Sequence, residues 1–178
     1  MSRLGAIESL KGKEKIDLGE FPKQDFTVLF VCTGNTCRSP MAQVQFNACV
    51  EQAKDQRWYA NSAGMAAASG APASAEARIV AIEHGLSLND HQARQLSKDM
   101  LEEATVVLTM QPSHCELCKL YYPEFADKIY TIKGFVGEEG GIGDPYGAGL
   151  TAYRATYQIF EELFPKLIAK LSEMYPAE

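Results

Sequence analysis

One stretch dictates the architecture. Phe26-Thr27-Val28-Leu29-Phe30-Val31 is an unbroken apolar and β-branched run, the pattern of a strand buried on both faces of a parallel sheet. It runs straight into Cys32-Thr33-Gly34-Asn35-Thr36-Cys37-Arg38-Ser39-Pro40, after which Met41, Ala42, Val44 and Phe46 repeat at helical spacing. Ser39 is expected to cap that helix and Pro40 to take its first position. Strand, tight loop and helix in that order commit the chain to an α/β fold, because parallel strands need helical crossovers.

The loop has its own chemistry. Backbone N–H groups converge where a strand turns into a helix, and the positive end of the helix dipole faces the same point, so the site favours an oxyanion such as phosphate. Arg38 holds two oxygens of a tetrahedral anion through its planar fork, which a lysine does not do. Cys32 sits where the helix end, Arg38 and the Ser39 hydroxyl all stabilise a thiolate. No Gly-Lys-Ser/Thr closes the loop, so a Walker-type nucleotide site is set aside. Asn35 is expected to brace the loop, since a short amide tolerates unusual backbone angles and bonds neighbouring peptides, and Gly34 to supply a positive φ.

Cysteine, five residues, arginine and serine, followed by Pro40-Met41-Ala42, resembles the signature loop of cysteine-dependent phosphatases in the low-molecular-weight protein tyrosine phosphatase family. The resemblance continues through Asn61-Ser62-Ala63-Gly64, His84-Gly85-Leu86, His91-Gln92-Ala93-Arg94-Gln95-Leu96 and Asp144-Pro145-Tyr146, spanning roughly residues 26 to 175. Cleaving a phosphate ester takes a nucleophile, donors for the phosphoryl oxygens and a proton for the leaving group. Cys32 is the expected nucleophile, passing through a phosphocysteine. Arg38 and the N–H groups of residues 33 to 38 hold the oxygens, which makes Thr33, Gly34, Asn35, Thr36, Cys37 and Ser39 substrate-binding candidates. Asp144, in a glycine-rich loop and fixed by Pro145, is the expected general acid, and the family has its acid in this Asp-Pro motif. Neither metal nor cofactor is required. Ser39 is either a helix cap alone or a cap that also donates to Cys32, and the resemblance supports the second. Tyr146 lines the pocket mouth or simply packs. The resemblance implies that Cys37 is the redox partner of Cys32; the plainer alternative is a small buried loop residue.

A chain of 178 residues is sufficient for one cored domain. We expect a catalytic domain over residues 26–178, with residues 1–25 a mobile extension or a docking arm anchored by Leu4, Ile7, Leu10, Ile16, Leu18 and Phe21. A net charge of −6 and a pI near 5.2 argue against nonspecific binding to nucleic acid or an acidic membrane. No stretch reaches a transmembrane length and no signal-peptide pattern opens the sequence, so an unexported, cytoplasmic protein is expected. The five cysteines at 32, 37, 49, 115 and 118 are an odd set unlike a secreted disulfide scaffold.

Further strands are expected at 58–62, 105–109 and 128–132, and helices at 74–84, from Pro112 onward, and over 151–174, the last with Pro165 as a potential kink. The sum is a three-layer α/β/α domain with a four-stranded, mostly parallel sheet; the resemblance implies strand order 2-1-3-4. Between strand four and the last helix, residues 134–149 carry seven glycines and are expected to move. His84 and His91 lack regular ligand spacing and are read as non-metal residues. Cys49 reads as core packing. Cys115 and Cys118 read as plain helical cysteines, with a redox role as the alternative.

For the substrate, phosphotyrosine on a protein or peptide is the family default, with phosphate as product. Thr36 departs from the aliphatic residue common at this position in tyrosine-directed members. The run from Val31 to Ala42 resembles the bacterial protein arginine phosphatase branch, where threonine here is linked to phosphoarginine. Both substrates stay open. Thioredoxin-coupled arsenate reduction, through Cys115 and Cys118 as relay, and non-catalytic anion binding are the remaining alternatives; the sequence does not reveal oligomeric state.

Overall fold

A computed structural model describes residues 25–177; the expectations for residues 1–24 lie outside them. Strand β1 (Phe26–Cys32) is followed by α1 (Arg38–Gln52), β2 (Trp58–Gly64), α2 (Ala75–Glu83), α3 (Lys98–Glu103), β3 (Val106–Thr109), α4 (Pro112–Tyr121), β4 (Ile129–Thr131), α5 (Ile132–Phe135) and α6 (Leu150–Met174). The sheet order is β2-β1-β3-β4, and all three neighbouring pairs are parallel. Order and parallel sense agree with expectation.

The alternation of β1 explains the three layers. Val28 and Phe30 join Val106 and Leu108 in a core shared with α1, α2 and α6. Leu29 and Val31 point the other way, into a core with Leu101 of α3 and Cys118 of α4. Both faces of the strand are therefore dry, as the unbroken apolar run requires. Phe30 meets Phe46 of α1 edge-on and Phe164 of α6 at a tilt, each with centroids 5.8 Å apart. Such ring pairs add about 0.5–1.5 kcal/mol beyond simple burial. The cluster thus pins α1 and α6 to the strand two residues before Cys32.

Boundaries differ from the sequence pattern mainly at the fourth strand. Lys128 closes a 3₁₀ turn (Pro123–Lys128), and Ile132 opens α5 instead of ending β4. The reason is local: Thr131 Oγ1 accepts from Gly134 N at 2.9 Å, which caps a short helix. The unanticipated α3 has the same cause, with Ser97 Oγ accepting from Met100 N. Pro165 lies inside α6. Among the described residues, no helix is long and apolar enough to cross a membrane.

Candidate active site

The loop from Cys32 to Arg38 leaves the carboxyl end of β1 at the centre of the sheet, where open α/β sheets place ligands. Its details correct two expectations. Ser39 is not the helix cap: Cys37 holds that position, without a side-chain cap bond, and Arg38, Ser39 and Pro40 are the first three helical residues. The Ser39 hydroxyl is used otherwise. Asn35 Nδ2 donates to Ser39 Oγ at 2.9 Å, and Cys32 Sγ lies 2.9 Å from the same oxygen. The competing acceptor, Ala63 O, is farther at 3.4 Å. With one lone pair occupied by the amide, the hydroxyl proton has Ala63 O and the sulfur in reach, and a Cys32 thiolate, having no proton to give, accepts it from Ser39.

The second correction concerns Gly34. The left-handed turn residue is Asn35, with φ 55°, a conformation asparagine tolerates better than most. A Cβ at Gly34 would meet only Thr36 Oγ1, at 3.7 Å, so neither φ nor crowding demands glycine there. Asn35 is the brace of the loop, as expected from its amide. Besides Ser39, its Nδ2 donates to Ser62 Oγ at 2.9 Å, while its Oδ1 accepts from Arg94 N at 2.8 Å. Its carbonyl accepts from His91 Nε2 at 2.7 Å, and its own N–H faces Cys32 Sγ at 3.3 Å. Glycine is compulsory at 64 instead, opposite Cys32 in the register. A Cβ there would stand 2.6 Å from Thr33 O and 3.0 Å from Asn35 N.

Arg38 is almost fully buried, with 2 % of its surface exposed, and its Nε has no partner among the described residues. Its Nη1 donates to Ile142 O at 3.0 Å and its Nη2 lies 3.4 Å from Asp144 Oδ2. Ile142 N in turn donates to Met110 O at 2.7 Å, which ties the acid-bearing loop to the end of β3. Asp144 is half exposed, and its Oδ1 accepts from Tyr146 N at 3.1 Å, an Asx turn that aims the carboxyl at the pocket. Cys32, Thr33, Gly34, Thr36, Cys37, Arg38, Asp144 and Tyr146 line one cavity of about 210 Å³. A buried cation and the Asn35 N–H beside a thiol can hold a tetrahedral oxyanion against sulfur, with the Asp144 carboxyl on the same cavity.

Cys37 lines the cavity and also reaches α6. Its Sγ is 3.0 Å from Tyr153 OH of α6 and donates to Ser74 Oγ at 3.6 Å. Burial and the bond to Cys37 push the Tyr153 hydroxyl well above its ordinary range. Cys49 is half-buried against the core. Burial pushes the Cys118 thiol up to about 11, which suits an inert core cysteine. His84 stacks on Tyr157, its Nδ1 2.9 Å from Val80 O. Sequence reasoning assigned no site role to Ser62, His91, Arg94, His114 or Tyr153; the first three fell inside motifs of the resemblance, His114 beside the Cys115 and Cys118 pair, and Tyr153 in no motif.

His91 and His114 are both pushed below the ordinary value of 6.5, by burial first. A group with a depressed folded pKa contributes stability that is complete above its unfolded value and is lost as pH falls toward the folded one. The melting temperature should therefore fall as the pH drops below about 6.5. His91→Asn should make that decline shallower in a thermal-shift series; an unchanged slope would exclude this imidazole as a source.

Residues 27–176 match the family model described as low molecular weight phosphotyrosine protein phosphatase. The chain belongs to that family. Among its relatives, a protein-arginine-phosphatase of Geobacillus stearothermophilus is 41% identical over 147 residues, 82% of this chain and 96% of the relative. A Bacillus subtilis protein-arginine-phosphatase is 33% identical over 82% of this chain and 97% of its own length. The crystal structure of a low molecular weight protein tyrosine phosphatase from T. tengcongensis is 49% identical with a TM-score of 0.78, over 82% of this chain and 99% of that one. Like these low molecular weight phosphatases, this one is a phosphatase-type hydrolase, and cysteine-based chemistry is general to the family.

Proposed function

We propose that this phosphatase removes phosphate from phosphoarginine side chains of proteins, with Cys32 as nucleophile, Arg38 as oxyanion holder and Asp144 as proton donor. The Cys32 thiolate attacks phosphorus in line, the bond to the leaving nitrogen breaks, and that nitrogen takes its proton from Asp144. The Asp144 carboxylate then removes a proton from water, whose oxygen attacks the phosphocysteine. The S–P bond breaks, returning thiolate and phosphate. The Ser39 hydroxyl and Asn35 N–H facing the sulfur make it a better leaving group in that second step, while Arg38 and the loop N–H groups hold the oxygens throughout.

The observation that carries the substrate is Thr36, which lines the cavity, its hydroxyl 3.6 Å from Cys37 Sγ. A hydroxyl at the wall suits the polar, hydrogen-bonding guanidinium, where an aliphatic side chain would suit a phenyl edge. The two bacillary relatives called protein-arginine-phosphatase support this reading. Phosphotyrosine is the second reading, favoured by the name of the T. tengcongensis structure and by the exposed Tyr146 at the pocket, ready to stack on a ring. The deciding measurement is kcat/KM on matched phosphoarginine and phosphotyrosine peptides with Thr36→Ile in parallel. We expect phosphoarginine preference in the native enzyme and a loss of roughly tenfold or more in that preference in the variant, the effect of one lost polar contact. Preference for phosphotyrosine in the native enzyme would assign the second reading.

Cys37 is proposed as the redox partner of Cys32, and a reducing, cytoplasmic setting is proposed from the odd number and irregular spacing of the five cysteines. The family match over residues 27–176 supports one catalytic domain beginning near residue 26. The buried, high-pKa Cys118 weighs against a relay for arsenate reduction.

A further inference from the structure

His114 is the third residue of α4 and lies outside the signature loop, yet its ring is buried against it. Nε2 is 2.8 Å from Thr33 Oγ1, while Nδ1 is buried with no partner among the described residues. The two nitrogens decide the tautomer between them. A buried N–H without an acceptor is rarer and costlier than a buried bare ring nitrogen, so the neutral ring carries its proton on Nε2. Burial and the nearby Arg38 guanidinium both favour that neutral ring, against a smaller pull from Asp144.

Nε2–H therefore donates to Thr33 Oγ1. A threonine hydroxyl has one proton and two lone pairs. With a lone pair taken by His114, its proton remains for an acceptor, and Thr33 lines the cavity with Cys32, Arg38 and Asp144. The Thr33 backbone cannot swing away, because its carbonyl accepts from Ala66 N at 2.9 Å and sits over the Cα of Gly64.

We infer that His114 is a positioning residue that sets the Thr33 hydroxyl as a side-chain hydrogen-bond donor to an oxygen of the phosphoryl group, supplementing Arg38 and the backbone N–H groups. The inference rests on the phosphatase reading of this cavity. It adds to the site a donor that backbone geometry alone does not provide, and it gives α4 a part in the reaction. Because the three oxygens spread into an equatorial plane as the phosphoryl group passes between sulfur and leaving atom, a donor aimed at that plane binds the transition state better than the tetrahedral ground state, and its effect falls on kcat more than on KM.

The test compares Thr33→Val, His114→Leu, His114→Gln and the Thr33→Val/His114→Leu pair, using an aryl phosphate for turnover and inorganic vanadate and phosphate for binding. Thr33→Val and His114→Leu should each lower kcat/KM and vanadate affinity by roughly tenfold, as for one donor to a charged oxygen, with phosphate affinity changed less. The pair should lose no more than either single change, since both remove the same bond. His114→Gln should recover most of the loss, because the Gln amide reaches the same oxygen as a donor. Multiplying losses, an unchanged Thr33→Val, or a His114→Leu defect that glutamine does not rescue would overturn the inference. Should His114→Leu fail to fold, Thr33→Val and His114→Gln still decide it: a vanadate affinity unchanged by Thr33→Val overturns the inference. A native enzyme that hydrolyses no phosphate compound would refute the phosphatase reading itself, while the vanadate comparison would still report on the Thr33 donor.

Discussion

Cys32→Ser should abolish turnover, by at least roughly 10⁴-fold, while inorganic phosphate still binds. The size of the effect follows from what surrounds the sulfur. Ser39 Oγ at 2.9 Å and Asn35 N at 3.3 Å are both donors to position 32. Donors stabilise a thiolate that has already formed, but they do not take a proton from a hydroxyl, so a serine here has no base and remains a poor nucleophile. Phosphate binding rests on other groups, Arg38 above all, whose guanidinium is held by Ile142 O rather than by the sulfur. Steady-state turnover of an aryl phosphate, with calorimetric titration of phosphate into the same variant, checks both halves. Residual turnover near the native rate would remove Cys32 from the mechanism.

Asp144→Asn should slow the reaction by about 10²–10⁴-fold for substrates with poor leaving groups, the usual contribution of a positioned acid. The loss should shrink for p-nitrophenyl phosphate, whose leaving group departs as an anion. Asparagine preserves the shape and the Oδ1 that accepts from Tyr146 N, so the loop keeps its turn and the comparison isolates the proton. The charge facing Arg38 at 3.4 Å is lost as well; that alone would change phosphate affinity, not the dependence on leaving group. A plot of log kcat against leaving-group pKa across aryl phosphates should be steeper for the variant. Parallel lines would show that another group supplies the proton.

These two residues sit 112 positions apart in the chain, and they differ in how far the sequence disclosed them. Cys32 and Arg38 were legible because their chemistry is local: a strand, a short loop and a helix set nucleophile and cation in one cradle. The α/β class was legible for the same reason, from the apolar run of β1. Asp144 was named from its Asp-Pro setting and the family resemblance; its closeness to Arg38 was not, since it comes from the hydrogen bond between Ile142 N and Met110 O. Ser39 was misplaced as a cap because cap preferences describe an isolated helix end. Here the hydroxyl is claimed by Asn35 and Cys32 across the loop. Gly34 looked like the turn residue by residue type, yet φ 55° falls on Asn35, whose side chain is held by Ser39, Ser62 and Arg94.

The sequence by itself determined the alternation of four strands with the longer helices and the place of the loop from Cys32 to Arg38, though not the short α3 and α5, because periodicity and a cysteine-to-arginine spacing of six residues act over one or two turns of chain. Only the tertiary structure decided who braces that loop. The parallel register of β1 with β2 brings Ser62 and Gly64 to one side of it, and the start of α4 brings His114 to another. Hydrogen-bond partners separated by 27, 59 and 81 residues leave no periodic trace in a sequence, since their proximity is set by how whole strands and helices pack.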